Sequence, residues 1–168
     1  MSTPSTLAQK EPYFFERQYF KQWWLWLFLA AMVALPLYGI YVQLIEKRPW
    51  GNNPMPDLGL ILFALAMFGF AYFFRYMRLD TSCDHSGIGI WFRPFLTKKV
   101  AWQDIADAQV VNYGFVGYGI RLGSKYGTVY NIAGRLGLAI TTKSGSRFVI
   151  GTQRPDELLQ TVNSYLNP

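Results

Sequence analysis

WWLWLFLAAMVALPLYGIYVQLI (residues 23–45) and LGLILFALAMFGFAYFF (residues 58–74) are two long apolar stretches, and neither contains an Asp, Glu, Lys, Arg or His. As a helix, the first would be about 34 Å long, which is enough to cross a hydrocarbon core of about 30 Å. The second is shorter, and we expect Arg75 to snorkel towards the head groups so that this span extends to Met77. The sequence therefore predicts a two-helix transmembrane hairpin over residues 23–78, with spans of about 23–45 and 58–77.

The basic residues flank these spans unequally. The short loop between them contains only two, Lys47 and Arg48, whereas six lie within about 20 residues of the outer ends of the spans: Lys10, Arg17, Lys21, Arg75, Arg78 and Arg93. Because loops rich in Lys and Arg stay in the cytoplasm, this asymmetry predicts a multi-pass protein with both termini cytoplasmic. The single cysteine, Cys83, agrees with a reducing compartment.

The net charge of +6 is spread along the chain, and no basic run is longer than a pair such as Lys98-Lys99. Nucleic-acid-binding domains usually concentrate their basic residues on one face or in one run. The charge therefore favours contact with anionic lipid head groups over nucleic-acid binding.

Residues 1–22 precede the first span and are predicted to be an N-terminal cytoplasmic or interfacial segment. Residues 1–12 are polar and contain two prolines, a composition typical of unstructured chain. Tyr13–Lys21 mixes aromatic and charged residues, which predicts an interfacial segment with its rings at head-group depth.

Residues 79–168 have the pattern of a small all-β domain. Short alternating segments are separated by glycines, and 11 of the 15 glycines lie between Gly87 and Gly151. A final amphipathic helix is predicted from Pro155, a residue that suits the first helical position. The pattern predicts a barrel or sandwich capped by that helix, with strands near residues 79–83, 88–92, 98–102, 108–113, 119–123, 128–132, 138–142 and 147–151.

Four segments of this domain resemble a known family: GIGIWFRPF (residues 87–95), KKVAWQDIADAQV (residues 98–110), YGIRLG (residues 118–123) and IGTQRPDEL (residues 150–158). They are similar to bacterial membrane proteins in which a two-helix hairpin precedes a bacterial PH-like domain of the pleckstrin-homology superfold. The resemblance implies a bacterial inner-membrane location and a cytoplasmic, non-catalytic domain that binds lipid, peptide or a larger membrane complex.

The segment SCDHSGIGIWFR at the predicted first hairpin has no Lys or Arg before Arg93, so it does not predict a specific inositol-phosphate pocket. General contact with anionic lipid is predicted for Arg75, Arg78, Arg93, Lys98 and Lys99. A solvated collar of charge is the alternative reading of the same residues. Arg121 and Arg154 are expected to pair with a carboxylate such as Asp104 or Asp107 and hold the domain together, and ligand binding is the alternative reading of both residues.

No catalytic, cofactor-binding or metal site is predicted. Cys83 and His85 are the only Cys and His in the chain, whereas a zinc site usually needs three or four such ligands. The glycines at 117–119 and 134–137 lie between predicted strands, where turns or bulges are expected in place of a nucleotide loop.

Small residues in the two spans permit close helix packing and are candidates for contact with a partner helix: Ala30, Ala34, Gly59, Ala66 and Gly69. The sequence therefore predicts a non-catalytic accessory or scaffolding subunit that packs its hairpin against a larger inner-membrane complex. The alternative is a membrane-anchored module that senses anionic lipid head groups. Neither hypothesis involves a cofactor or a small-molecule substrate.

Overall fold

The computed structural model describes residues 13–114 and 117–166. The contacts divide the chain into two compact units, a helical unit over Tyr19–Met77 and a β unit formed by the described residues before Tyr19 and after Met77. The predicted unstructured segment, residues 1–12, lies outside the described residues.

The helical unit contains two long apolar helices, as the hydropathy pattern predicts. Helix α1 is Trp23–Ile40 and continues as a π-helical turn over Tyr41–Ile45, and helix α2 is Asp57–Tyr76. Both are long and apolar enough to cross a membrane, and most of their side chains are not buried within the protein. The buried residues of the two α-helices are Leu29, Pro36, Gly39, Leu60 and Ala64.

The first sheet of the β unit has four strands in the order β1-β2-β3-β4. Two of them, β2 and β3, form an antiparallel hairpin in which Asp80 lies opposite Trp91 and Arg78 opposite Arg93. The strands are β1 (Phe14–Tyr19), β2 (Arg78–Asp84), β3 (Gly87–Arg93) and β4 (Leu96–Val100).

The second sheet has five strands in the order β5-β8-β9-β7-β6. Strands β7 and β9 are parallel, whereas the other paired strands of this sheet are antiparallel. The strands are β5 (Ile105–Asn112), β6 (Gly119–Ser124), β7 (Gly127–Asn131), β8 (Leu136–Thr142) and β9 (Arg147–Gly151).

A C-terminal helix, α3 (Pro155–Leu166), packs on the second sheet through contacts with β5 and β8. Its apolar face includes Leu158 and Val162, both fully buried. Trp102, in the 3-10 turn after β4, stacks on Tyr165 with ring centroids 4.7 Å apart. The helix therefore closes the second sheet, as its amphipathic pattern predicts.

Each of the eight strands predicted after residue 79 overlaps an observed strand, and α3 begins at the predicted proline. The N-terminal segment differs from its prediction. Within the predicted interfacial stretch Tyr13–Lys21, Phe14–Tyr19 forms a strand of the first sheet, which the sequence pattern did not predict. The β unit therefore includes chain that precedes the first apolar helix.

Candidate functional site

Three arginines surround one buried carboxylate on the first sheet. Asp80 Oδ1 accepts a hydrogen bond from Arg17 Nε at 2.8 Å, and Asp80 Oδ2 lies 3.2 Å from Arg78 Nε and 3.8 Å from Arg93 Nε. Arg78, Asp80 and Arg93 share a face because they occupy alternate or directly paired positions of the β2-β3 hairpin. We call Arg17, Arg78, Asp80 and Arg93 the arginine cluster, and its formal charge is +2.

The arginine cluster is buried at its centre and accessible at its edge. The Asp80 side chain is 4% exposed, whereas those of Arg17, Arg78 and Arg93 are 41%, 24% and 46% exposed. One carboxylate cannot saturate three guanidinium groups, each of which has five N–H donors. An anionic group could therefore approach the arginines from the solvent side.

The predicted lipid-contact residues divide in the structure. Arg78 and Arg93 belong to the arginine cluster, and the exposed Lys99 places its Nζ 5.7 Å from the centre of the Trp91 ring. Arg17, which completes the cluster, was not among the predicted lipid contacts. The sequence distinguishes Arg17 only by its position between Glu16 and Gln18, in a segment that forms strand β1.

Lys98 has a different environment from the neighbouring Lys99. Its Nζ lies 3.7 Å from the centre of the Phe148 ring of β9, and partial burial lowers the pKa of the Lys98 ammonium. Arg75 belongs to the helical unit, where its guanidinium lies 5.7 Å from the centre of the Tyr19 ring. The five predicted residues therefore do not form one surface of the β unit.

A cleft of about 300 Å³ opens beside the β2-β3 turn. Gly89 forms part of its lining, and the Trp91 ring lies so close that a Cβ on Gly89 would be 2.4 Å from a ring carbon. Asp84, Asp104 and Lys99 supply charges of both signs. Side-chain and backbone hydrogen bonds from Ser86 hold the pKa of Asp84 below its ordinary value, so this carboxylate is engaged in the turn.

Cys83 and His85 do not form a common site. Cys83 is fully buried in β2, whereas His85 is exposed in the turn that follows. Within residues 13–114 and 117–166, no three His, Cys, Asp or Glu side chains are grouped so that they could hold a metal ion.

Burial, together with the charge of Asp84, raises the pKa of the Cys83 thiol to about 12 from an ordinary value of 9.0. Because only the thiolate is nucleophilic, we expect native Cys83 to react with iodoacetamide at pH 8 roughly a thousandfold more slowly than the unfolded chain. Mass spectrometry with and without denaturant measures this difference, and equal labelling rates would contradict it. Since the native pKa is the higher one, this group's contribution to stability is intact below pH 9 and is lost as the pH rises towards 12.

The segment Gly151–Pro155, which starts at the last residue of β9, makes hydrogen bonds to strand β1. Two groups of that segment, the Thr152 hydroxyl and the Gln153 backbone N–H, donate hydrogen bonds to the Glu16 carboxylate. Gln18 Nε2 donates to the Gly151 carbonyl at 2.7 Å. Because Glu16 and Gln18 are both buried, these bonds replace the apolar contacts that the inner face of a strand usually makes.

Arg154 extends the contact between this segment and β1. Its Nη1 donates to the Phe15 carbonyl at 3.0 Å, and its guanidinium lies 4.9 Å from the centre of the Phe14 ring. Its carboxylate partner is Glu157 in α3, not the predicted Asp104 or Asp107. Arg154 thus has the predicted structural role, but with different partners. The guanidinium of Arg121 lies beside Gly117, where a Cβ would be 2.5 Å from Arg121 Nη2.

The end of β9 has space only for a glycine. A Cβ at Gly151 would lie 2.8 Å from Asn131 Oδ1 and 2.9 Å from the Tyr113 hydroxyl. Both side chains are buried, and burial raises the pKa of Tyr113 to about 12. Gly151 therefore permits the close approach of the two side chains that pack around the end of this strand.

The predicted helix-packing residues also divide into groups. Ala30 and Ala34 line a groove of the helical unit, whereas Ala66 and Gly69 are exposed on α2, and a Cβ on Gly69 would have no neighbour within 4 Å. A Cβ on Gly59 would lie 3.0 Å from Cγ of Met55, which is in the loop before α2. Ala66 and Gly69 are therefore exposed and are not among the residues that line the groove.

The sequence matches no protein-family model, and no curated protein matches it.

Proposed function

We propose that the protein is a non-catalytic accessory subunit of a larger complex in the bacterial inner membrane. The hairpin crosses the membrane twice with both termini in the cytoplasm, and the β unit is a PH-like domain on that side. The two sheets and the C-terminal helix support the PH-like assignment. The unequal distribution of basic residues about the spans supports the orientation.

The observation that carries this proposal is the open small-residue surface of α2. Ala66 and Gly69 lie about one turn apart on α2, and both are exposed. Without a hydrophobic driving force between helices in lipid, association depends on close packing at such small residues. A helix of a partner subunit can therefore approach α2 closely there.

The test is native mass spectrometry of the tagged protein, extracted from its own membranes in a mild detergent. We expect partner subunits at a fixed ratio, and we expect Gly69→Leu to remove them. Met67→Trp is the matched control, because it adds volume on a face of α2 about 160° from Gly69 and about 100° from Ala66. A chain that carries no other subunit would contradict the proposal.

A second candidate function is contact between the β unit and anionic lipid head groups. The charge of the arginine cluster favours it, and Arg78 is only two residues beyond the end of α2. In this second function the β unit senses anionic lipid head groups, with or without a partner subunit.

For this second function we expect Arg93→Gln combined with Lys99→Gln to weaken the preference for phosphatidylglycerol over phosphatidylcholine by about thirtyfold. Each basic residue near an anionic surface contributes about 1 kcal/mol, and about 1.4 kcal/mol corresponds to a factor of ten. The measurement is the ratio of the two lipids carried by the chain after release from mixed nanodiscs. The control is Arg135→Gln with Lys143→Gln, which removes the same charge elsewhere on the β unit, and equal effects of the two pairs would exclude this function.

A further inference from the structure

An apolar groove runs between α1 and α2. Its volume is about 430 Å³, and its lining on α1 extends from Trp26 to Leu37. These residues cover about 16 Å along the helix, close to the hydrocarbon thickness of one bilayer leaflet, which is about 15 Å. The groove is therefore about as long as the acyl region of a single leaflet. Its other lining residues include Ala30, Val33 and Ala34 on α1, and Phe68, Ala71 and Tyr72 on α2.

A second cavity, of about 480 Å³, adjoins this groove. Trp26 and Arg75 line both cavities, so the two share a boundary. The second cavity also contains Lys21, which gives it two cationic side chains. None of the described residues that line either cavity is acidic. The combined site is thus apolar along the helices and cationic at one end.

The cationic end is held in place by specific contacts within the helical unit. Trp26 Nε1 donates a hydrogen bond to the Phe20 carbonyl at 2.8 Å. Phe20 is buried and meets the ring of Phe74 edge to face, with centroids 5.7 Å apart. Arg75 lies against the Tyr19 ring. These contacts fix the segment before α1 beside the last turn of α2, and so position Lys21 and Arg75 around the same cavity.

We propose that these two cavities form a binding site for one anionic phospholipid. An acyl chain occupies the groove, and the phosphate lies between Lys21 and Arg75. A phospholipid is the occupant because it combines an apolar chain of one-leaflet length with a phosphate at its end, which matches the order of the linings. Trp26 lies where the two regions meet, and tryptophan is enriched at membrane–water interfaces.

This site is separate from the surface proposed for a partner helix. At 3.6 residues per turn, the groove residues Phe68, Ala71, Tyr72 and Arg75 lie on one face of α2, and Ala66 and Gly69 lie on a different face. The lipid and a partner helix could therefore be bound together. The inference does not rest on the accessory-subunit proposal, and either could fail without the other.

The test uses the full chain in nanodiscs of equal phosphatidylglycerol and phosphatidylcholine, with native mass spectrometry after release. We expect one phosphatidylglycerol to remain bound to each wild-type chain at collision energies that strip other lipids. Lys21→Gln combined with Arg75→Gln should lower the bound fraction at least about tenfold, because both charges near the phosphate are lost. Ala34→Trp should have a similar effect by filling the groove.

Two control variants repeat these changes elsewhere in the helical unit. Lys47→Gln with Arg48→Gln removes two charges from the loop between the helices, and Ala31→Trp adds the same side chain on another face of α1. Both should retain the lipid. A wild-type chain without bound phosphatidylglycerol, or charge variants that retain it as well as wild type does, would overturn the proposal. Circular dichroism identifies any variant that fails to fold. If Ala34→Trp fails to fold, the charge variants alone test the lipid site.

Discussion

Replacing Asp80 with asparagine is expected to lower the free energy of unfolding of the β unit by about 3 kcal/mol. Asp80 is the buried carboxylate shared by Arg17, Arg78 and Arg93. Removing one partner of a buried ion pair costs about 3–5 kcal/mol, because the remaining charge has lost its counter-charge. The lower end applies here, since all three arginines retain contact with water.

Thermal unfolding followed by circular dichroism measures this effect. For a unit of this size, about 3 kcal/mol corresponds to a fall of more than about 10 °C in the midpoint. Arg93→Gln is the matched control and should cost less than about 1 kcal/mol, because Arg93 is the most distant and most exposed of the three arginines. If Asp80→Asn proved as mild as Arg93→Gln, the carboxylate would not be what holds the three arginines together.

Local patterns in the sequence predicted most of the secondary structure. The apolar stretches predicted α1 and α2 because a helix long enough to span a membrane needs a long run without charge. The eight strands after residue 79 followed from alternation interrupted by glycine, and Pro155 marked the start of α3. These signals are local, so they require no knowledge of which segments lie together.

Strand β1 was not predicted because its inward-facing positions are mostly polar. Phe14, Glu16 and Gln18 are buried, whereas Phe15 and Arg17 point away, so hydrophobicity does not alternate along FFERQY. The hydrogen bonds that stabilise Glu16 come from Thr152 and Gln153, more than 130 residues away. Partners at that separation leave no trace in a local pattern.

The candidate site depends on strand register, which the sequence alone did not establish. Lys98 and Lys99 are adjacent and equally basic, but alternation along β4 places only Lys98 against Phe148. The arginine cluster likewise requires β1 beside β2, together with the pairing of Arg78 and Arg93. The parallel pairing of β7 with β9 is a similar case, since it joins strands that are separated along the chain by β8.

Gly127→Ala is expected to lower the free energy of unfolding by more than about 4 kcal/mol. Comparison with Gly145→Ala separates the cost of a left-handed backbone from the cost of a steric clash. Gly127 has φ +87° and Gly145 has φ +86°, so both substitutions carry the same left-handed backbone cost of about 1–2 kcal/mol. A Cβ at Gly145 would meet nothing within 4 Å, whereas one at Gly127 would lie 2.0 Å from the Arg147 carbonyl oxygen. That oxygen cannot move away easily, because Arg147 begins β9, which is paired with β8 on one side and with β7 on the other. Chemical denaturation of both variants gives the difference directly. A large difference would show that close approach of β7 and β9 requires glycine at residue 127, whereas equal costs would show that this contact relaxes freely.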